Sequence, residues 1–526
     1  MIGSDDSGLW DIAVARAAAT PDAVFAVDDG GRRLTFAALL RAAETRRDAL
    51  AALGVRPGDV VSWQLPNWVE SFVLTLALHG MGAIQNPLIM ILREREVGHI
   101  TGQAGADFLI GPGSWSGHDF TAMYRNVVAA GAAPAGVRLL ETTPDGLLSE
   151  VVHSPLPGRA GTPAPWRTDG ETRWLFSTSG TTSAPKLVRH GDRAVLHAAR
   201  TTANAVAMAA SDVVASPAPV THVGGIVNFL VTLLSGSSQV VQERFDPVGS
   251  PLFFREHDIT ITGIGEPFFR AFLACAQAHP ELAPLFPRIR AFQCGGAPKN
   301  PALHGEMRAV FGGAGIISGY GMTECPMLAW NAIGDSDDVL ATTEGRAAVG
   351  MQVRTVALDG TPCGVGEEGE LRVRGPHLML GYADPADGLD AFDDEGYLRT
   401  GDLGRLDPAG NVTVTGRVKD VIIRNMENVS AREVEDLLVQ HPDVLECAVV
   451  GVPDPVTGER VCAVIAVRAG ATAPTLSELG EHLGRLGLSR RKWPERLSVV
   501  DVLPRNAMGK VAKPVLRAWS AEEVGT

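Results

Sequence analysis

Between Phe176 and Val188 the chain reads Phe-Ser-Thr-Ser-Gly-Thr-Thr-Ser-Ala-Pro-Lys-Leu-Val, a run of small hydroxyl residues that no globular core requires. Donors on Ser177, Thr178, Ser179, Thr181, Thr182 and Ser183, a turn-permitting Gly180 and the charge of Lys186 make a cradle for phosphate. The nucleotide-binding pattern Gly-x-x-x-x-Gly-Lys-Ser/Thr does not fit. Counted from Gly180, Pro185 stands where the second glycine belongs and Leu187 where the metal-binding hydroxyl belongs. Proline has no amide hydrogen and cannot complete that nest. A flexible linker fits less well than a phosphate loop, because apolar segments bound the run and it ends in Pro-Lys.

Other stretches carry chemistry of their own. Tyr320-Gly-Met-Thr-Glu324 puts an aromatic face, suited to a purine, close to a carboxylate, suited with phosphate oxygens to a hard cation. Gly295 and Gly296 follow a strand signal and let a flat ring lie against backbone. His222 lies in Pro219-Val-Thr-His-Val-Gly-Gly225, before an apolar helix from Ile226, and on its own reads as a packed or helix-capping residue.

In this order the motifs resemble those of the adenylate-forming superfamily, which holds acyl-CoA and aryl-CoA ligases, luciferases and peptide-synthetase adenylation domains. Gln64-Leu-Pro-Asn-Trp68 and Gly82-Ala-Ile-Gln-Asn-Pro87 are most similar to its acyl- and aryl-CoA ligase branch, especially the alicyclic and aromatic acid ligases. The resemblance implies that Thr178, Ser179, Gly180, Thr181, Thr182 and Lys186 meet the ATP phosphates. It places Gly295, Gly296, Ala297, Tyr320 and Gly321 at the adenine, Thr323 on the α-phosphate and Glu324 on Mg²⁺. Asp402 would bind the ribose, Arg417 the ribose or phosphate, and Lys419 would be the hinge. Lys510, in Leu503-Pro-Arg-Asn-Ala-Met-Gly-Lys510, would be the catalytic lysine. His222, Gly224, Cys294, Gly319 and Met322 are the substrate-pocket candidates. No carboxylate falls between Val220 and Leu230 to hold an ammonium group, so the acid is expected not to be an amino acid.

The chain departs from the family pattern at Ser183 and Leu187, each standing where glycine is usual. It departs again at Asn425-Met426, where relatives carry Gly-Gly before Glu-Asn. Asn425 tolerates a left-handed backbone, but Met426 adds a side chain where a thiol channel is expected.

The 526 residues imply more than one domain, and a net charge of −14 argues against nucleic acid or an anionic membrane as the main partner. Six scattered cysteines form no Cys-x-x-Cys pair, and the acidic first residues are no signal peptide, so a cytoplasmic protein is expected. A homodimer is left open.

Trp174 to Phe176 reads as a strand, the residues from Asp192 as a helix, and 366–375 with 381–382 as β-hairpin material of structural rather than chemical importance. Ser430-Ala-Arg-Glu433 reads as a capping box opening a helix with Val434, Leu437 and Leu438 inward. The expected architecture is α/β: a large multi-subdomain adenylation domain, 1–415, and a small mobile α+β domain, 416–526, with the hinge near Lys419. The expected reaction adenylates a carboxylate with ATP and passes the acyl group to CoA. Two alternatives stand beside it: a CoA-independent adenylating enzyme that loads a carrier, forms an amide or diazotises an aryl amine with nitrite, and a non-catalytic nucleotide-binding protein.

Overall fold

The computed structural model describes residues 1–2, 7–146, 148–152, 165–178, 185–296, 300–424, 427–454, 456–506 and 510–522. The fold is mixed α/β and gathers into two compact units, one built from the described parts of 1–178, 184–352 and 374–398, the other chiefly from 353–373 and 399–522.

The first unit contains an eight-stranded and a nine-stranded sheet. In the eight-stranded sheet, Trp174–Ser177, Ile84–Pro87, Val60–Trp63, Phe108–Gly111 and Arg138–Thr142 run parallel, and Leu187–His190 and then Gly381–Tyr382 join antiparallel at one edge. Val60–Trp63 and Phe108–Gly111 are buried along their whole length, as parallel strands covered on both faces must be. In the nine-stranded sheet, Ile261–Ile264, Ala291–Gly295 and Ile316–Met322 run parallel side by side, and Cys325–Trp330 turns back beside the last.

Helices Val69–Met81 and Val223–Ser235 are predominantly apolar and buried over most of their length because both lie in the core. Their Phe72 and Phe229 rings lie 4.9 Å apart, and Phe25 packs on both at 5.4 and 5.6 Å. Phe229 therefore anchors the helix whose first turn faces the pocket described below. Truncating so buried an aromatic costs about 3–5 kcal/mol.

In the second unit, Leu398–Leu406 and Val412–Arg417 pair antiparallel with Asp402 opposite Arg417. The hairpin Val444–Asp454 and Gly458–Val467 packs with helices Ala431–Leu438 and Leu476–Arg485 around Val434, Leu438, Val449, Ile465, Leu479 and Leu483. The Ser430 box forms by half: its hydroxyl accepts from the Glu433 amide at 3.3 Å, while the Glu433 carboxylate pairs with Lys492 at 2.6 Å. A lysine ammonium competes better for that carboxylate than a backbone amide does.

The hairpin expected of 366–375 and 381–382 does not form. Gly369–Arg374 lies in a four-stranded sheet, whereas Tyr382 and Gly381 pair with Val188 and Arg189. Leu187–His190 would otherwise present an unpaired edge, which the Gly-Tyr segment covers. No described helix is long and apolar enough to cross a membrane.

Candidate active site

The phosphate loop hangs from an antiparallel ladder. Its rungs run from Trp174 opposite His190 to Ser177 opposite Leu187. One step further, the Thr178 amide donates to the Lys186 carbonyl at 2.8 Å and the Lys186 amide donates to Thr178 Oγ1 at 3.1 Å. The neck is thus a continuation of the sheet. Ser179, Gly180, Thr181, Thr182 and Ser183 lie outside the described residues.

Beside the neck is a small pocket lined by Pro87, Ile89, Phe176, Ser177, Thr221, His222, Val223 and Thr323. Pro87 and Ser177 end two adjacent parallel strands, and carboxyl ends of such strands are where open α/β sheets receive ligands. His222 both caps a helix and lines this pocket. Its Nδ1 accepts from the Gly224 amide at 3.1 Å, capping helix Val223–Ser235, and its side of the turn lines the pocket.

The remaining pocket candidates are dispersed. A Cβ on Gly224 would sit 3.7 Å from Met327 Cε, and one on Gly319 only 2.4 Å from the Trp330 ring, so Gly319 serves a close approach of indole to backbone. Cys294 is packed in a core with Phe269, Phe292 and Leu303. Met322 ends its strand opposite Cys325. Of the five, His222 is the one lining the pocket.

The turn carrying Thr323 and Glu324 is held on several sides. The Thr323 carbonyl accepts from His190 Nε2 at 2.7 Å, the Pro326 carbonyl from His377 Nδ1 at 2.8 Å, and the Glu324 carbonyl from the Met379 amide at 2.9 Å. Burial holds both imidazoles down to about 4, so both are neutral donors at neutral pH. The hydroxyl of Tyr382 donates to Glu324 Oε1 at 2.8 Å. Burial, and next the Glu324 charge, push that phenol well up, so it keeps its proton.

These residues suit a magnesium–nucleotide complex. Glu324 is a buried carboxylate at 9 % exposure, beside Thr323 in the pocket wall. Among the described residues no three His, Cys, Asp or Glu side chains cluster as a self-sufficient metal site. A cation at Glu324 would therefore take its other oxygens from phosphate and water, the habit of Mg²⁺.

Gly295 ends its strand and Gly296 follows at φ 79°, a left-handed conformation that favours glycine; Ala297 lies outside the described residues. Tyr320 is buried, and Gly321 abuts the Met327 amide so closely that a Cβ would lie 2.4 Å away. The Lys186 ammonium donates to the Asp387 carbonyl at 3.1 Å, is 3.6 Å from the Asp387 carboxylate and sits 4.9 Å over the Tyr382 ring.

The second unit brings together Asp402, Arg417, Lys419 and Lys510. Arg417 Nε is 3.0 Å from Asp402 Oδ1, and the Asp402 amide donates to Thr400 Oγ1 at 3.1 Å. Burial first, and then the Arg417 charge, lower the ammoniums of both Lys510 and Lys419, with Asp402 partly opposing. The Lys510 loop closes on itself: the Asn506 amide donates to the Lys510 carbonyl at 2.8 Å, and the Lys510 amide to Asn506 Oδ1 at 3.0 Å. At Lys419 the backbone carbonyl accepts from Arg517 at 3.4 Å, and Arg517 also pairs with Asp420 at 2.6 Å. Asn425 and Met426 lie outside the described residues, between the paired strands Val421–Arg424 and Glu427–Ser430.

Sequence reasoning passed over Tyr382 and His190. No local signal marks Tyr382, because its contact is made by pairing with a strand some 190 residues away. His190 had one: two residues beyond Val188 on a strand, it must share a face with it.

Comparison with known proteins identifies the family. The AMP-binding enzyme family matches residues 14–383, and the AMP-binding enzyme C-terminal domain matches 433–510. A medium-chain fatty-acid–CoA ligase of Escherichia coli is 32 % identical over 97 % of this chain and 90 % of its own. The salicyl-AMP ligase/salicyl-S-ArCP synthetase of Mycobacterium tuberculosis is 33 % identical over 94 % and 87 %. ATP-bound MatB from Rhodopseudomonas palustris superposes with a TM-score of 0.84 at 27 % identity, covering 97 % of this chain and 98 % of that one. With both of its parts matched and relatives aligned along nearly its whole length, this chain belongs to the AMP-binding, adenylate-forming family of ligases.

Proposed function

We propose that the protein is an ATP-dependent acid–CoA ligase acting on a non-amino-acid carboxylate of aromatic, alicyclic or medium-chain type. The observation that carries this reading is the pocket wall. Apolar Pro87, Ile89, Phe176 and Val223 line it together with Ser177, Thr221, Thr323 and His222, and no carboxylate stands among its described lining residues to balance an ammonium. The clamped Glu324 turn contributes Thr323 to the same wall.

A substrate carboxylate is ionised at neutral pH, so its attack on the α-phosphate of ATP needs no general base. It needs positioning and neutralisation of charge. Thr323 offers a donor to the α-phosphate, Asp402 accepts from the ribose hydroxyls, and Arg417 and Lys510 oppose the charge that builds on the phosphate oxygens. Mg²⁺, held by Glu324 and the nucleotide, supplies further neutralisation when bound. Pyrophosphate leaves, and the thiol of CoA then attacks the acyl-adenylate, releasing AMP. A domain boundary at 415/416 with a hinge at Lys419 gives the small domain freedom to serve both steps.

A second reading, transfer to a carrier protein, amine or other acceptor without CoA, is favoured by the sequence at Met426, which stands where the family pattern has glycine. The relative named for salicyl-S-ArCP synthesis supports it too. One assay separates the two. Pyrophosphate release is measured with aromatic, alicyclic and fatty acids, with and without CoA, and products are identified by mass. A thioester formed only with CoA is the expected result. Pyrophosphate without thioester favours the second reading, and absence of any acid-dependent pyrophosphate overturns both.

A further inference from the structure

We propose that Tyr382 is a positioning residue that aims the Glu324 carboxylate at the magnesium–nucleotide complex. The proposal rests on the adenylation reading above and adds a residue to it.

Glu324 is gripped at both ends by one short segment. The Met379 amide holds its backbone carbonyl at 2.9 Å and the Tyr382 hydroxyl holds its carboxylate at 2.8 Å. That segment is fixed in turn. Leu380 donates to the Arg189 carbonyl at 2.8 Å, Ala383 donates to the Leu187 carbonyl at 2.8 Å, and Tyr382 stands opposite Val188. Leu187 to Arg189 directly follow Lys186, so the strand that leaves the phosphate loop also places the phenol on the metal carboxylate.

A glutamate loses side-chain freedom on taking a cation, and a donor that fixes the carboxylate beforehand removes part of that cost. The phenol suits this task because it donates without adding a charge that would repel the metal. The same ring presents its face to the Lys186 ammonium at 4.9 Å. Tyr382 therefore has two separable parts: a hydroxyl for Glu324 and a ring for Lys186.

The test uses the full chain and Mn²⁺ as the probe. Free Mn²⁺ is followed by electron paramagnetic resonance in the presence of a non-hydrolysable ATP analogue, and analogue binding is measured separately without metal. Tyr382→Phe, which keeps the ring, is expected to weaken Mn²⁺ binding about 10-fold, the low end for loss of an outer-shell partner. Analogue affinity without metal should change less than about 2-fold, a split that general loosening of the fold would not produce. Tyr382→Leu should weaken both. In a Glu324→Gln background, Tyr382→Phe should add almost nothing.

Unchanged Mn²⁺ affinity in Tyr382→Phe, with Glu324→Gln strongly impaired, overturns the proposal and leaves the adenylation reading intact. An equal loss in the Gln background also overturns it, since the phenol would then act by another route. If Glu324→Gln itself binds Mn²⁺ like the wild type, both the proposal and the metal assignment fall.

Discussion

The turn around Glu324 and the cluster around Lys510 are built in opposite ways. At Thr323 to Pro326 each structural contact is closed by a neutral donor: two uncharged histidines, a phenol and a backbone amide. At Lys510, Arg417 pairs with Asp402, and the two lysines are held below their usual range by burial and then by the Arg417 charge. The first is closed by neutral donors and the second is dense in charge. On the proposed function, neutral clamping would suit a carboxylate that takes a cation, and a cluster of cations would suit phosphate.

The sharpest break of this contrast is Lys510→Ala. It should slow acid-dependent pyrophosphate release by about 10²–10³-fold while changing ATP affinity by less than about 5-fold, because the charge it supplies matters most in the transition state. Equal losses in rate and affinity would show that Lys510 mainly binds.

Asp402→Ala comes next, removing the carboxylate that pairs with Arg417. A loss of about 1–3 kcal/mol in urea unfolding is expected, together with weaker ATP binding. Excess pyrophosphate should restore part of the stability if the cluster is completed by anions, and no restoration would remove that idea.

The neutral histidines give the first region a pH signature. With folded values near 4 against 6.5 unfolded, the unfolded chain binds more protons between those limits. Their contribution is full above about 6.5 and is lost as pH falls toward 4, on the order of 2–3 kcal/mol each at the acid end. His190→Gln, which retains a donor of similar reach, should flatten this acid limb in unfolding measured from pH 7 to 4. An unaltered limb would mean that His190 is not held neutral.

The smallest effect is expected at His222. His222→Asn preserves an acceptor for the Gly224 amide, so its melting temperature should stay near that of the wild type while KM for the acid changes. His222→Ala should also lose about 0.5–2 kcal/mol of cap energy. If Asn and Ala behave alike in both measurements, capping is not what His222 contributes.

Much of this arrangement was legible before folding. The strand read over Trp174 to Phe176 and the helix read from Asp192 both form, with Ser177, expected in the loop, extending the strand by one residue. Asp402 opposite Arg417 needed only a local hairpin register. Tyr382 was not legible, since its meaning comes from pairing with Val188, and the glycines around it read equally well as a hairpin turn. Cys294, a candidate for the pocket, lies in a core because alternation along Ala291–Gly295 turns it toward Phe269 and Leu303. Local chemistry shows in sequence, whereas the neighbours that hold it come from strand order.

The two-residue pairing of Gly381–Tyr382 with Val188 and Arg189 also sets where evolution or engineering can change the length of this chain. Side chains alternate across a strand, so one residue added between Met379 and Tyr382 would turn the phenol to the opposite face and leave Glu324 without it. Additions after Ala383, beyond its bond to Leu187, leave that parity untouched. Libraries of loop insertions should therefore be tolerated downstream of Ala383 and depleted over the preceding four residues, a boundary drawn by parity and not by solvent exposure.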